Sequence, residues 1–260
     1  MKQEKTPNEQ KQMEEHKKPF ILIVDGNTVS GLTSSIMLQR LDYYVFSVKT
    51  AEEAITVISV APPQLVLTEI TLPQMNGIDL LRKLKEEKRS KEIPVIIYTR
   101  QQDPTIRQTC LQAGCSGYLT SPASPDQLYE SIQMVTENTP RHFVRFHTSL
   151  EVIVGAEGIP GHRVRNEKVS ALSVNGMYVS TVKPLPYGTI LPFTIFLRDT
   201  PDGIINVEGK VLYSYSYDGR VGMVKQPGMG IKFTKIRIED RARIKSFIQE
   251  KLMEGIANVI

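Results

Sequence analysis

FILIVDGN, residues 20–27, decides the first half of the molecule. Phe20–Val24 is an unbroken apolar run of strand length, the pattern of a central parallel strand covered on both faces. Asp25-Gly26-Asn27 then breaks the run as a loop, and Val29, Leu32 and Ile36 follow at i, i+3 and i+7, a helix face. Outward from there the alternation repeats. Tyr44–Val48 reads as a strand and Ala51–Val60 as a helix. Gln64–Thr68 is a strand and Gly77–Lys88 a helix carrying Leu80, Leu81 and Leu84. Pro94–Thr99 is a strand and Asp103–Ala113 a helix begun by Asp-Pro. Gly117–Thr120 is a short strand, and a last helix starts at Ser124-Pro125 with Leu128, Ile132 and Val135 along it. Strands alternating with helices five times over predict an α/β, doubly wound, five-stranded parallel sheet, whose chemistry belongs at the carboxyl ends of its strands.

After Thr139-Pro140 the period changes. Leu150, Val152 and Val154 alternate with polar residues, as do Leu191, Phe193, Ile195 and Leu197, and then Val211, Tyr213 and Tyr215. Period-two alternation broken by Gly and Pro turns predicts antiparallel strands, and their even spacing a small antiparallel β-barrel. Ile244, Phe247, Ile248 and Leu252 return to helical spacing and predict a closing helix. The organisation expected is a polar tail over 1–18, an α/β domain over 19–138 and a β-barrel domain over 139–260.

Bulk properties narrow the function classes. The chain has 260 residues, 40% hydrophobic, enough for two packed cores. No apolar run is long enough for a membrane span, and the polar first residues lack the apolar core of a secretory signal, so a cytoplasmic location is expected. Two cysteines, Cys110 and Cys115, read as free thiols rather than a disulfide framework. The histidines His16, His142, His147 and His162 show no zinc-like spacing with them, and neither metal nor cofactor is expected. A net charge of +4 permits an anionic ligand without arguing for bulk nucleic-acid binding.

The segments ILIVDGN, LVLTEITLPQMNGIDLL, PVIIYTR and GYLTSP, in this order and spacing, resemble the receiver domain of bacterial response regulators. That resemblance covers about residues 19–138. It implies phosphoryl transfer to an aspartate, assisted by two acidic residues that hold magnesium, a Thr or Ser, and a lysine. Here the acidic pair matches Asp25 and Gly26, the acceptor matches Glu69, the hydroxyl is kept as Thr99, and the lysine position holds Ser121 before Pro122. One magnesium carboxylate and the phosphate-balancing cation are missing, and the acceptor carboxylate sits one methylene farther out. The domain is therefore expected not to be phosphorylated. Either Asp25, Glu69 and Thr99 are strand-end polar residues on a packing and dimerisation module, or Glu69 holds a fixed negative charge near Thr99 and an active-like state. The resemblance also implies an interaction face on the helices around 103–113 and 124–138, suited to a protein partner or a homodimer.

RHFVR (141–145), ALSVNGMYV (171–179) and GMGIKF (228–233) resemble the PilZ domain through Arg141-x3-Arg145, Ser173-x-x-Gly176 and Gly-x-x-Phe. The resemblance covers about residues 139–256 and implies binding of cyclic di-GMP by Arg141, Arg145, Ser173 and Gly176. Arginine suits this ligand because its planar fork matches phosphate oxygens and the guanine O6 and N7 edge. The family motif begins with Asp or Asn, and this chain has Ala171 there, which removes an acceptor for guanine N–H groups. Asn175 is a candidate substitute, and Gly176 is expected to allow a tight turn. Arg163 and Arg165 add charge on the preceding strand.

Three functions follow from these readings. One is a cyclic di-GMP effector acting on a signalling or motility protein. The second is an interaction adaptor blind to both phosphate and nucleotide. The third, a DNA-binding regulator, is disfavoured by β alternation where a helix-turn-helix would be needed. No phosphate loop, nucleophile elbow or metal cluster supports an enzyme.

Overall fold

The computed structural model describes residues 19–138, 143–158, 163–197, 203–216 and 226–254, which form two compact units, one ending at 138 and one beginning at 143. The first contains β1 (Phe20–Val24), α1 (Thr28–Arg40), β2 (Tyr44–Val48), α2 (Ala51–Val60), β3 (Leu65–Thr68), α3 (Gly77–Glu86), β4 (Val95–Thr99), α4 (Pro104–Gln112), β5 (Gly117–Thr120) and α5 (Pro125–Thr136). Its five strands are parallel in the order β2-β1-β3-β4-β5. Burial explains the sequence pattern. Ile21–Val24, Leu65–Thr68 and Val95–Thr99 are buried throughout, because these central strands are covered on both faces, whereas the edge strands β2 and β5 are at most half-buried.

Each helix start is written locally. Asn27 and Asn76 accept backbone N–H groups at the starts of α1 and α3, Asp103 does so for α4, and Thr50 and Ser124 form capping boxes with Glu53 and Gln127. The predicted face of α1 is corrected. Val29 and Leu32 are each 45% exposed, and the side turned inward is Gly31, Ser34, Met37 and Leu38. The reason is close approach: Gly31 lies against Asp25, where an added Cβ would sit 3.5 Å from the Asp25 Cβ, so the small residues face the sheet.

The second unit contains β6 (Phe146–Val154), β7 (Arg165–Ser173), β8 (Gly176–Ser180), β9 (Ile190–Phe196), β10 (Ile204–Tyr215), β11 (Gly228–Lys235) and α6 (Ile238–Met253). The strands close into a six-stranded antiparallel barrel in the order β10-β11-β8-β7-β6-β9, with β9 pairing back to β10. Leu150, Val152, Val169, Leu172, Val179, Phe193, Ile195, Val207 and Ile231 fill its interior. Ile244, Phe247, Ile248 and Leu252 of α6 are buried, and Phe247 meets Phe146 edge-on with ring centroids 6.3 Å apart. One alternation fails. Val211 is buried, but Tyr213, expected on the same face, is 37% exposed, because the β10–β11 ladder shifts register between these residues and a bulge reverses the side-chain phase. Among the described residues no helix is long and apolar enough to cross a membrane.

Candidate functional site

In the first unit, the polar residues at the strand ends are turned onto their own loops. The Asp25 Oδ1 accepts the Asn27 N–H at 2.8 Å, and the Asp25 N–H donates to the Val48 carbonyl at 3.1 Å. Gly26 is closed over by Pro73, whose Cδ lies 2.8 Å from where a Cβ at Gly26 would be. A side chain at this position would have to displace the proline ring.

Glu69, at the end of β3, is the most engaged of these groups. Its Oε1 accepts from the Ile70 N–H at 2.7 Å, from the Thr71 N–H at 3.4 Å, and from the Thr99 hydroxyl. Thr99 in turn accepts the Gln101 N–H at 3.3 Å, and the Gln101 Nε2 donates to Thr71 Oγ1 at 3.2 Å. The Tyr118 hydroxyl donates to the Gln101 carbonyl at 2.7 Å, and burial pushes that phenol up from its ordinary pKa, so it stays a protonated donor. Glu69 and Thr99 thus tie the loops after β3 and β4 together, with β5 latched on through Tyr118. Gln101 and Tyr118 carry this latch, and no motif in the sequence marks them. Ser121 reaches the same end of the sheet, its N–H donating to the Thr99 carbonyl at 2.7 Å, but it supplies no cation. A groove of about 390 Å³ opens between Ile70, Leu72, Ile78 and Ile106; among the described residues the cation lining it is Arg82, ion-paired with Asp79 at 3.1 Å. Among the described residues no group of three or more His, Cys, Asp or Glu side chains is placed to hold a metal ion.

In the second unit, Ser173 and Gly176 are cross-strand partners at the end of the β7–β8 hairpin, joined by the two-residue turn Val174-Asn175. The Ser173 hydroxyl donates to the Gly176 carbonyl at 3.0 Å, a bond that leaves its oxygen's acceptor capacity unused. Gly176 is needed for a reason other than the expected one. Its φ is not positive; instead, an added Cβ would collide with the Ile231 carbonyl of β11, so glycine here lets β8 and β11 approach. Asn175 is not in the place of the missing acid either. Its Oδ1 accepts from Arg241 of α6 and its carbonyl accepts the Phe233 N–H at 2.9 Å, pinning the motif turn to the closing helix and to β11. Arg145 is exposed and immediately precedes β6, whose first pair is Phe146 with Leu172, so it lies at the Ser173 end of that ladder. Arg141 lies outside the described residues. Arg163 is exposed; Arg165 donates to the Lys183 carbonyl at 2.8 Å and lies 4.0 Å from Glu167.

Comparison with known proteins gives both halves a family. Residues 21–133 match the response regulator receiver domain and residues 138–250 the PilZ domain. The two-component response regulator ORR3 of Oryza sativa subsp. japonica is 32% identical over 111 residues, which is 42% of this chain and 85% of that protein. Hybrid signal transduction histidine kinase D of Dictyostelium discoideum is 26% identical over 131 residues, 50% of this chain and 8% of that protein. Among solved structures, the Vibrio cholerae chemotaxis protein CheY4 is 23% identical with a TM-score of 0.44, covering 45% of this chain and 98% of CheY4. The receiver domain of the sensor histidine kinase PA1611 from Pseudomonas aeruginosa is 26% identical with a TM-score of 0.43, covering 46% of this chain and 99% of that domain.

Proposed function

Since this chain belongs to the response regulator receiver family and continues into a PilZ domain, we propose that it is a signalling protein that senses cyclic di-GMP through its barrel while its receiver half takes no phosphate. The observation that carries the barrel side is the arrangement at the hairpin end: Ser173 and Gly176 paired, with exposed Arg145 at the same end of the neighbouring strand. Arg145 and Arg141 would grip phosphate or the guanine Hoogsteen edge through charge-assisted bidentate bonds, and Ser173 would accept from a base N–H. This reading gives the barrel no catalytic acid, base or nucleophile, and the protein acts by binding.

The receiver side rests on the chemistry of the groups present. Magnesium demands near-octahedral oxygen ligation. The donor set here does not fit it, since one carboxylate position is Gly26 beneath Pro73, and one oxygen each of Asp25 and Glu69 is already held, the first by a backbone amide and the second by two amides and Thr99. A phosphoryl group on Glu69 would also meet no lysine, Ser121 standing there. The Glu69–Thr99–Gln101–Tyr118 chain supports the reading in which fixed negative charge holds one conformation of the loops after β3 and β4, leaving the domain to contact a signalling or motility partner or a second copy of itself. Incubation with acetyl phosphate and magnesium followed by intact-mass measurement tests this: no added phosphoryl mass is expected, and a stoichiometric gain would overturn it.

Ala171 favours a second reading, an adaptor whose barrel ignores nucleotide. It lacks the acceptor that an Asp or Asn would offer a base edge, a contact worth about 1–3 kcal/mol. The two readings separate on binding alone: the first expects saturable, arginine-dependent uptake of cyclic di-GMP, the second none.

A further inference from the structure

Ala171 belongs to a row of residues that crosses five strands. It pairs with His147 on β6 and with Tyr178 on β8; Tyr178 pairs with Gly230 on β11, and Gly230 with Tyr213 on β10. Directly opposed residues in a ladder share a face. The neighbours of this row, Leu172, Met177 and Ile231, are buried in the barrel, so the row itself lies on the outer wall.

Two tyrosines on that wall are laid flat. The Tyr178 and Tyr213 rings are neighbours, with centroids 6.3 Å apart and planes 30° apart, and Tyr215 extends the group at 5.6 Å from Tyr213. The rings rest on glycine backbone. A Cβ at Gly228 would lie 2.7 Å from Tyr178 Cε1 and 2.9 Å from its Cζ, and one at Gly230 would strike the Tyr213 ring, 2.8 Å from Cε2. The Tyr178 hydroxyl donates to the Gln226 carbonyl at 2.6 Å, which fixes its orientation. Burial and the neighbouring tyrosines push this phenol up from its ordinary pKa, so it stays neutral beside an anionic ligand. Tyr213 remains 37% exposed, and Ala171 contributes only a methyl group between His147 and Tyr178.

We propose that Tyr178 and Tyr213 are a stacking platform for a guanine base of cyclic di-GMP, so that this barrel holds by its face a base that the family motif holds by its edge. The inference rests on the cyclic di-GMP reading above. A pre-set aromatic floor costs little ordering on binding, and a π face accepts any base. Lacking the edge contact that an Asp or Asn in place of Ala171 would make, while gaining a face contact, therefore predicts useful affinity with weak discrimination between guanine and adenine.

Equilibrium titration of the full chain with cyclic di-GMP, and in parallel with cyclic di-AMP, tests this on the wild type and on Tyr178→Phe, Tyr178→Leu, Tyr213→Leu and Arg145→Ala. Leucine keeps bulk over the glycines and removes the π face. Expected are a loss of about tenfold or more in each leucine variant, near wild-type binding in Tyr178→Phe, and a cyclic di-AMP affinity within about tenfold of that for cyclic di-GMP. Leucine variants that bind like the wild type while Arg145→Ala loses binding would overturn the platform and leave the cyclic di-GMP reading intact. A wild type that binds neither nucleotide would overturn both.

Discussion

The strand ends of the sheet and the outer wall of the barrel hold their polar groups in opposite ways. In the sheet, the Glu69 Oε1 accepts from Thr99 and two backbone amides, Asp25 caps its own loop, and Pro73 covers Gly26. In the barrel, Arg145 is exposed, Ser173 keeps acceptor capacity, and two tyrosine rings lie flat on the wall. A site whose hydrogen bonds are satisfied internally has little free energy to offer a ligand, because binding must first break those bonds. A wall whose donors and faces point outward does. On the proposed reading, this chain keeps its receiver as a fixed body and concentrates its response in the barrel.

Five expected outcomes bear on this contrast. Phe193→Ala should remove about 3–5 kcal/mol from the barrel by opening a cavity at a residue that is 1% exposed. Ile97→Ala, at a fully buried residue of β4, should remove about 2–5 kcal/mol from the sheet. Calorimetric melting should show each change confined to its own transition; a joint shift of both transitions by either variant would break the two-unit picture. Gly176→Val should cost the barrel about 1–3 kcal/mol, since its Cβ would drive against the Ile231 carbonyl and spread β8 from β11. Chemical denaturation would read this as a lower midpoint with an unchanged slope. Glu69→Ala should cost about 1 kcal/mol, the loss of an acceptor shared by Thr99 and two amides, and increase hydrogen exchange in the loops after β3 and β4. Unchanged exchange there would deny Glu69 its holding role. The smallest effect concerns Cys110 and Cys115, both buried and with thiols pushed up by that burial. At pH 8 they should alkylate much more slowly in the native protein than in denaturant, with iodoacetamide uptake followed by mass.

Most of the architecture was written locally. FILIV, QLVLT and PVIIYT announced buried parallel strands, and Asp103-Pro104 and Ser124-Pro125 announced helix starts, because burial on two faces and capping are decided within a few residues; the caps Asn27, Thr50 and Asn76 emerge only in the structure. What periodicity missed depended on partners far along the chain. Val29 and Leu32 had helical spacing, but the approach of Gly31 to Asp25 chose the other side of α1. Tyr213 had the strand period of Val211, but the bulge against β11 reversed it. The site was legible as residue types and not as roles. Gly176 serves an approach between strands and not a turn, and Asn175 is tied to Arg241, sixty-six positions along the chain. The tyrosine floor was invisible because it needs the registers of β8, β10 and β11 together.

On the proposed reading the barrel responds to nucleotide and the sheet does not. Calorimetric titration of cyclic di-GMP into the full chain, repeated with Arg145→Ala and Glu69→Ala at physiological salt, separates the two halves. Saturable heat is expected in the wild type, with a loss of roughly tenfold to a hundredfold in affinity in Arg145→Ala and wild-type binding in Glu69→Ala. No heat from the wild type, or heat that survives Arg145→Ala but vanishes in Glu69→Ala, would contradict that reading.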